Sequence, residues 1–356
     1  MKQLLLYCRA GFEKECAAEI QDKAGQYGVF GYCKLKNDAA FIIFEAYDEP
    51  MLERFFADFP FEQFIFIRQW AAILGDWLEL PAGDRVSPVV AQALADEITG
   101  CGELRVEYPD TNDGKELSTL ARKLTVPLRQ GLRKAGVMLS KENHRAPVLH
   151  LFLQTGQQAL LALSYAENNS PLENGIRRLK FPHDAPSRST LKLEEAFLQF
   201  IPRDEWETRL ASGMNAVDLG ACPGGWTYQL VIRSMMVVAI DNGAMDQKLM
   251  DTGQVKHFMV DGFKYQPEKR NVYWLVCDMI EKPQRVGALI CDWLIKGWCQ
   301  ESIFNLKLPM KKRYETVLEV LAEMQQRFDE AELAVEFQAK HLFHDREEVT
   351  VHIRKR

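Results

Sequence analysis

Apolar positions along the chain fall into two textures. In the first half, short apolar runs alternate with stretches whose hydrophobic residues recur at helical spacing. Strands are predicted over residues 4–9 and 39–44, with an amphipathic helix over 13–24 between them. A second set follows, with strands near 61–68, 104–108, 148–155 and 159–165 and helices near 87–99 and 117–135. Residues 166–189 are dense in Asn, Pro, Ser and Gly, the residues of turns. Beyond them the apolar runs become nearly continuous, at 216–219, 237–240, 274–277, 302–306, 334–339 and 349–353, separated by helical patterns. Such runs belong to a mostly parallel sheet covered by helices on both faces. The expected organisation is an α/β subdomain at 1–55, a second α/β region at 56–165, a linker at 166–189 and a doubly wound α/β domain at 190–356.

Composition narrows the function classes. The 356 residues are 47% hydrophobic and 26% charged, which excludes a largely disordered chain. Lys and Arg number 44 against 50 Asp and Glu, a net charge of −6, so a polymer of phosphates would have to be met by local basic patches. The eight cysteines form no C-x-x-C pair, so neither a zinc site nor a disulfide framework is expected. No uncharged stretch reaches the ~18 residues of a membrane helix, and the apolar run at the N-terminus is too short for a signal peptide. A soluble, cytoplasmic protein without membrane or metal is expected, acting as a monomer.

The chemistry concentrates at Ala216-Val217-Asp218-Leu219-Gly220-Ala221-Cys222-Pro223-Gly224-Gly225-Trp226. A strand ends in an acid, a glycine turn follows and a helix begins. In an open α/β sheet this is where ligands bind. The dinucleotide pattern G-x-G-x-x-G is broken, because Cys222 stands at its middle glycine and Pro223 removes a backbone donor. A nucleoside ligand without phosphates suits the loop better. Asp241 ends the next strand, about 20 residues on, where a carboxylate suits ribose hydroxyls. Asp261 follows, placed for an exocyclic amine.

These residues resemble the class I S-adenosylmethionine-dependent methyltransferases, and within them the FtsJ-type ribose 2′-O-methyltransferases, whose loop often reads D-L-G-x-x-P-G-G-W/F. The resemblance implies a Rossmann-like sheet, S-adenosyl-L-methionine as cofactor and a Lys-Asp-Lys-Glu tetrad. Ser187-Arg188-Ser189-Thr190-Leu191-Lys192-Leu193 is similar to the family's S-R-x-x-x-K-L segment and supplies Lys192. Val276-Cys277-Asp278-Met279 supplies Asp278, and Phe304-Asn305-Leu306-Lys307 supplies Lys307. Arg346-Glu347-Glu348-Val349 supplies Glu348, with Glu347 the alternative. Cofactor contacts are implied for Ser189, Gly220, Cys222, Pro223, Gly224, Gly225, Asp241, Asp261 and Asp278. The segments after Asp278 and Lys307 depart from the family pattern, at Ile280-Glu281-Lys282-Pro283 and Leu308-Pro309-Met310.

A lysine serves as a base only when neutral, and its ordinary pKa is ~10.4. A second ammonium nearby is expected to lower it, as Lys192 beside Lys307 would, while Asp278 and Glu348 push the other way. Lys307 is expected to take the proton of a ribose hydroxyl or to orient that hydroxyl. Asp278 would steer its amine, and Lys192 and Glu348 would position ribose and lysine.

The first half resembles a THUMP-type RNA-binding region. Between residues 115 and 145 stand eight Lys/Arg against two Glu. RNA contacts are expected from Lys115, Arg122, Lys123, Arg129, Arg133 and Lys134, from Arg177 and Arg178 in the linker, and from Lys311 and Lys312. The combination is similar to bacterial enzymes that methylate a cytidine ribose in 23S rRNA. Two alternatives stay open, a small-molecule O-methyltransferase and an RNA-binding or ribosome-assembly factor with a vestigial catalytic domain.

Overall fold

Strand pairing resolves the two textures into two sheets of seven strands each. The computed structural model describes all 356 residues, which divide into two units, Met1–Ile176 and Arg177–Arg356.

The first unit contains β1 (Gln3–Tyr7), β2 (Gly31–Leu35), β3 (Phe41–Ala46), β4 (Gln69–Glu79), β5 (Glu103–Glu107), β6 (Val148–Leu153) and β7 (Gln158–Ser164). They lie in the order β2-β3-β1-β4-β7-β6-β5, all antiparallel except the β5–β6 pair. The chain runs from β1 through helix Glu13–Gln26 to β2 and β3, then through helix Glu49–Asp58 to β4, a βαββαβ unit. The break expected after residue 55 therefore falls inside a helix, and β4 carries the sheet on from β1 to β7 without interruption. Helix Ser118–Lys134 buries Ala121, Leu124, Leu128 and Leu132 at spacings of three and four, and runs unbroken through Pro127.

The strand expected at 61–68 is not formed. A short 3₁₀ turn, Phe61–Gln63, leads into extended chain whose amides are taken by one buried side chain. Glu19 accepts from Ile65 N, from Phe66 N at 2.8 Å and from Ile67 N at 3.0 Å. A carboxylate here does the work of a neighbouring strand.

The second unit contains β8 (Asn215–Leu219), β9 (Met236–Ile240), β10 (Val255–Phe258), β11 (Val272–Cys277), β12 (Glu301–Lys307), β13 (Val335–Lys340) and β14 (Glu348–Lys355). The order is β10-β9-β8-β11-β12-β14-β13, with β10 through β12 parallel and β14 antiparallel to both its neighbours. Connections run outward from β8 to β10 and then return to β11, so the switch point lies between β8 and β11.

Strand alternation then sorts the side chains. Ala216, Val237, Trp274, Val276 and Ile303 share one core with Leu193 and Phe197 of helix Thr190–Phe200 and Trp226 and Leu230 of helix Gly225–Val231. Val217, Leu275 and Phe304, one position out of step, are buried on the opposite face. Asp218, Asp278 and Lys307 have the parity of the first set. The polar residues at the strand ends thus face the helix that carries Lys192.

Candidate active site

Four side chains converge where β11, β12 and β14 meet helix Thr190–Phe200. Asp278 follows β11 directly, and Lys307 ends β12. The β12–β14 register sets Lys307 opposite Glu348. Lys307 Nζ lies 2.6 Å from Asp278 Oδ1 and 3.8 Å from Glu348 Oε2. Lys192 Nζ lies 3.3 Å from Asp278 Oδ2 and 2.5 Å from Glu348 Oε1. Two ammonium groups thus alternate with two carboxylates. Glu347, the alternative member, points elsewhere and pairs with Arg313 at 2.7 Å.

The charges of the cluster support one another. Burial acts against the charge on Lys192, but the Asp278 and Glu348 carboxylates outweigh it, and the Lys192 pKa is raised. For Asp278 burial pushes upward, and the Lys192 and Lys307 ammonium groups bring its carboxyl below the ordinary value. Among these groups opposite charges dominate like charges.

The glycine loop lies at the switch point. Gly220 has φ +78°, a left-handed conformation that favours glycine, and a Cβ there would come within 2.8 Å of Met279 Cγ. A Cβ on Gly225 would stand 2.0 Å from Ser189 Oγ, so glycine is what lets the helix Gly225–Val231 approach Ser189. Asp241, at the end of β9, accepts from Cys222 N at 2.9 Å and Gly243 N at 2.8 Å, clasping the loop. The Cys222–Pro223 peptide is cis, and Gly224 has φ +120°. Asp261 is exposed and accepts from Phe263 N at 2.9 Å, closing its own turn. Asp218, which the resemblance does not assign to the cofactor, is buried beneath the loop. Burial first, then the Asp278 and Asp241 charges, push its carboxyl to about 7 against a hydrogen bond from Thr227 Oγ1 at 2.7 Å.

Other features give no sign of themselves in the sequence motifs. Asn305 Nδ2 donates to Asp278 Oδ1 at 2.9 Å, and Thr350 Oγ1 donates to Asn305 Oδ1 at 2.8 Å. Their period-two spacing from Lys307 and Glu348 is the one signal that could have found them. Ile280 and Met310, two and three residues beyond Asp278 and Lys307, are 93% and 95% exposed.

The basic residues divide between the units. In the first, Lys115, Arg122, Lys123 and Lys134 are exposed, whereas Arg129 pairs with Glu142 at 3.5 Å and Arg133 Nε donates to Leu139 O at 3.1 Å. In the second, Lys311 and Lys312 are exposed beside Met310, Arg177 is half-buried, and the exposed Arg178 lies over the Phe343 ring at 5.1 Å. His341 Nε2 meets Arg346 O at 3.0 Å and His344 Nδ1 meets Glu195 Oε2 at 2.6 Å, so each ring is held within the fold. No helix is long and apolar enough to cross a membrane.

Relatives carry the name ribosomal RNA large subunit methyltransferase M. One from Photorhabdus laumondii is 57% identical over 356 residues, covering 100% of this chain and 97% of its own. One from Yersinia pestis is 57% identical over 354 residues, covering 99% and 96%. The chain belongs to this family. Residues 185–334 match the FtsJ-like methyltransferases. Residues 1–71 match the ferredoxin-like domain of the family, and 84–165 its N-terminal region. The half expected as THUMP-type is thus described as ferredoxin-like plus a family-specific region, and the βαββαβ order of β1 to β4 agrees with the first. The second unit has the class I methyltransferase fold, and S-adenosylmethionine is the methyl donor of its family.

Proposed function

We propose that this protein transfers a methyl group from S-adenosylmethionine to the ribose 2′-hydroxyl of a cytidine in 23S rRNA, with Lys192, Asp278, Lys307 and Glu348 as its working residues. The observation that carries the reading is the pair of lysines bridged by Asp278 at the carboxyl edge of the sheet. A ribose hydroxyl is a very weak acid and needs a group that takes its proton or fixes its lone pair. The residues present fit the donor. Asp241 and Asp278 set carboxylates at the glycine loop and at the end of the adjoining strand, and these complement a ligand bearing a sulfonium and an ammonium. When bound, the donor supplies an electrophilic methyl group on positively charged sulfur.

The chain's own residues do the rest. Asp278 holds the Lys307 amine in one direction, and Lys307 meets the hydroxyl. Lys192, held by Asp278 and Glu348, presents a positive charge to the ribose. Alignment of such groups contributes several kcal/mol to a transfer step. Exposed Ile280 and Met310 offer apolar surface suited to the face of an unstacked base, and the exposed basic residues Lys311 and Lys312 suit its phosphates. The basic stretch Lys115–Lys134 of the first unit would hold RNA by its backbone. All four tetrad members come from one chain, which supports a monomer, and an rRNA substrate implies the cytoplasm.

The test is to incubate the protein with methyl-labelled S-adenosylmethionine and purified 23S rRNA, then digest with alkali. Label in alkali-resistant dinucleotides supports 2′-O transfer. Label on free bases or on a small molecule overturns it.

A further inference from the structure

Behind the tetrad runs a line of polar side chains whose hydrogens can be counted. Asn305 and Thr350 are register partners on β12 and β14, two pairs inward from Lys307 and Glu348 and so on the same face. Asn305 Nδ2 donates to Asp278 Oδ1, the oxygen that also meets Lys307 Nζ. This fixes the amide, because turned over it would set its oxygen against a carboxylate oxygen. Asn305 Oδ1 therefore faces Thr350 Oγ1 at 2.8 Å, and an amide oxygen only accepts. The single hydroxyl hydrogen of Thr350 is thereby committed. Yet Thr350 Oγ1 also lies 3.0 Å from Asp345 Oδ1 and 2.9 Å from Asp345 Oδ2, and Oδ2 already accepts from Leu342 N at 3.0 Å. An ionised Asp345 would set acceptor against acceptor.

We propose that Asp345 is a protonated positioning residue, whose carboxyl hydrogen starts a relay of donation through Thr350 and Asn305 that ends on the Asp278 oxygen steering Lys307. The surroundings agree. Asp345 is fully buried, and burial, followed by the Glu348 and Glu195 carboxylates, holds its carboxyl well above the usual range against Thr350 and Lys192. Glu348 and Thr350 reach it from β14, and Glu195 and Lys192 from helix Thr190–Phe200. Glu195 is itself held by the backbone N–H groups of Phe343 and His344 and by the His344 ring. A neutral Asp345 also keeps the neighbouring tetrad at two positive and two negative charges.

Two arms test this on the full chain. The first does not depend on the proposed function. With ¹³C-carboxyl aspartate, the Asp345 resonance is identified by its loss in Asp345→Asn, and that of Asp218 by its loss in Asp218→Asn. The Asp345 carbon is expected to keep the shift of a protonated acid through neutral pH. Titration at the ordinary aspartate value, ~4, overturns the proposal.

The second arm rests on the methyltransferase reading. Asp345→Leu and Thr350→Val should each lower kcat about tenfold, the worth of one oriented hydrogen bond, with the Kd for S-adenosylmethionine held. Asp345→Asn, whose amide donates and accepts as a protonated acid does, and Thr350→Ser should recover most of that loss. An Asp345→Asn variant as slow as Asp345→Leu overturns the relay. A wild-type protein that labels no ribose defeats the proposed function instead, and the resonance arm still decides the protonation of Asp345.

Discussion

Each unit contains a cluster of interlocked ionisable and hydroxyl side chains, and only one of them is built to react. In the first unit Glu107 Oε2 accepts from Tyr7 OH at 2.7 Å and meets His150 Nδ1 at 2.8 Å, while Glu107 Oε1 accepts from Asn174 N at 2.6 Å. His150 Nε2 meets Ser164 Oγ at 2.8 Å, and Asn169 Nδ2 donates to the same oxygen at 2.6 Å. Ser, His and Glu stand in the order of a hydrolase triad. Yet Ser164 and His150 are 0% exposed, and the Ser164 hydroxyl is already held between His150 and Asn169. The tetrad of the second unit keeps its ammonium groups near solvent, with Lys307 22% exposed, and pairs them with carboxylates alone. The mere presence of interlocked ionisable groups does not separate the two clusters. Access and unspent hydrogen-bonding capacity do.

The contrast can be broken at either side. Lys307→Ala should lower methyl transfer by about 10²–10⁴-fold, the usual worth of a proton-handling or orienting group, with binding of S-adenosylmethionine retained by calorimetry. A variant that turns over normally would remove the amine from the reaction. His150→Ala should leave transfer intact but cost about 3 kcal/mol of stability, because it strands the buried Glu107 charge and the Ser164 hydroxyl. Urea midpoints of the two proteins measure this. Equal midpoints would mean that the sealed cluster is not holding its unit together.

Asp218 sharpens the comparison, being a sealed acid inside the open site. Its folded pKa of about 7 lies above the ordinary 3.8, so its stabilising effect is full below about pH 4 and is lost as pH rises through 7. The stability of wild type relative to Asp218→Asn should therefore fall by about 3 kcal/mol between pH 5 and pH 8, read as the shift in the gap between urea midpoints. A gap independent of pH would place the Asp218 pKa in the ordinary range. The smallest effect belongs to the exposed charges. Replacing Arg122, Lys123 and Lys134 with Ala should weaken RNA binding evenly across sequences, reducing the salt slope by roughly 0.7–0.9 for each phosphate no longer neutralised. An unchanged slope would take helix Ser118–Lys134 out of the RNA interface.

The same contrast explains what the sequence made legible. The strands β8, β9, β11, β12 and β14 announce themselves because both faces are covered, leaving continuous apolar runs. The glycine loop announces itself because backbone conformation demands particular residues in fixed order. β2, Gly-Tyr-Cys-Lys-Leu at the sheet edge and largely exposed, carries no period at all. The apolar run at 61–68 has strand composition, but Glu19, more than 40 residues away, satisfies its amides instead. Asn305, Thr350 and Asp345 look like ordinary polar residues in sequence, and their meaning arises only from strand pairing and a loop return that bring them together.

The pairing of β12 with β14 carries one more consequence. Lys307 and Glu348 meet because two antiparallel strands are in a particular register, and sliding either by a single residue would turn one of the pair away from the other. Of the forty residues between them, helix Arg313–Glu330 and β13 supply no member of the tetrad and need only close the ladder in step. Exposed positions of that outer wall can therefore change with little effect on the chemistry, while a one-residue deletion within either strand would turn its core residues and its tetrad member to the wrong face together.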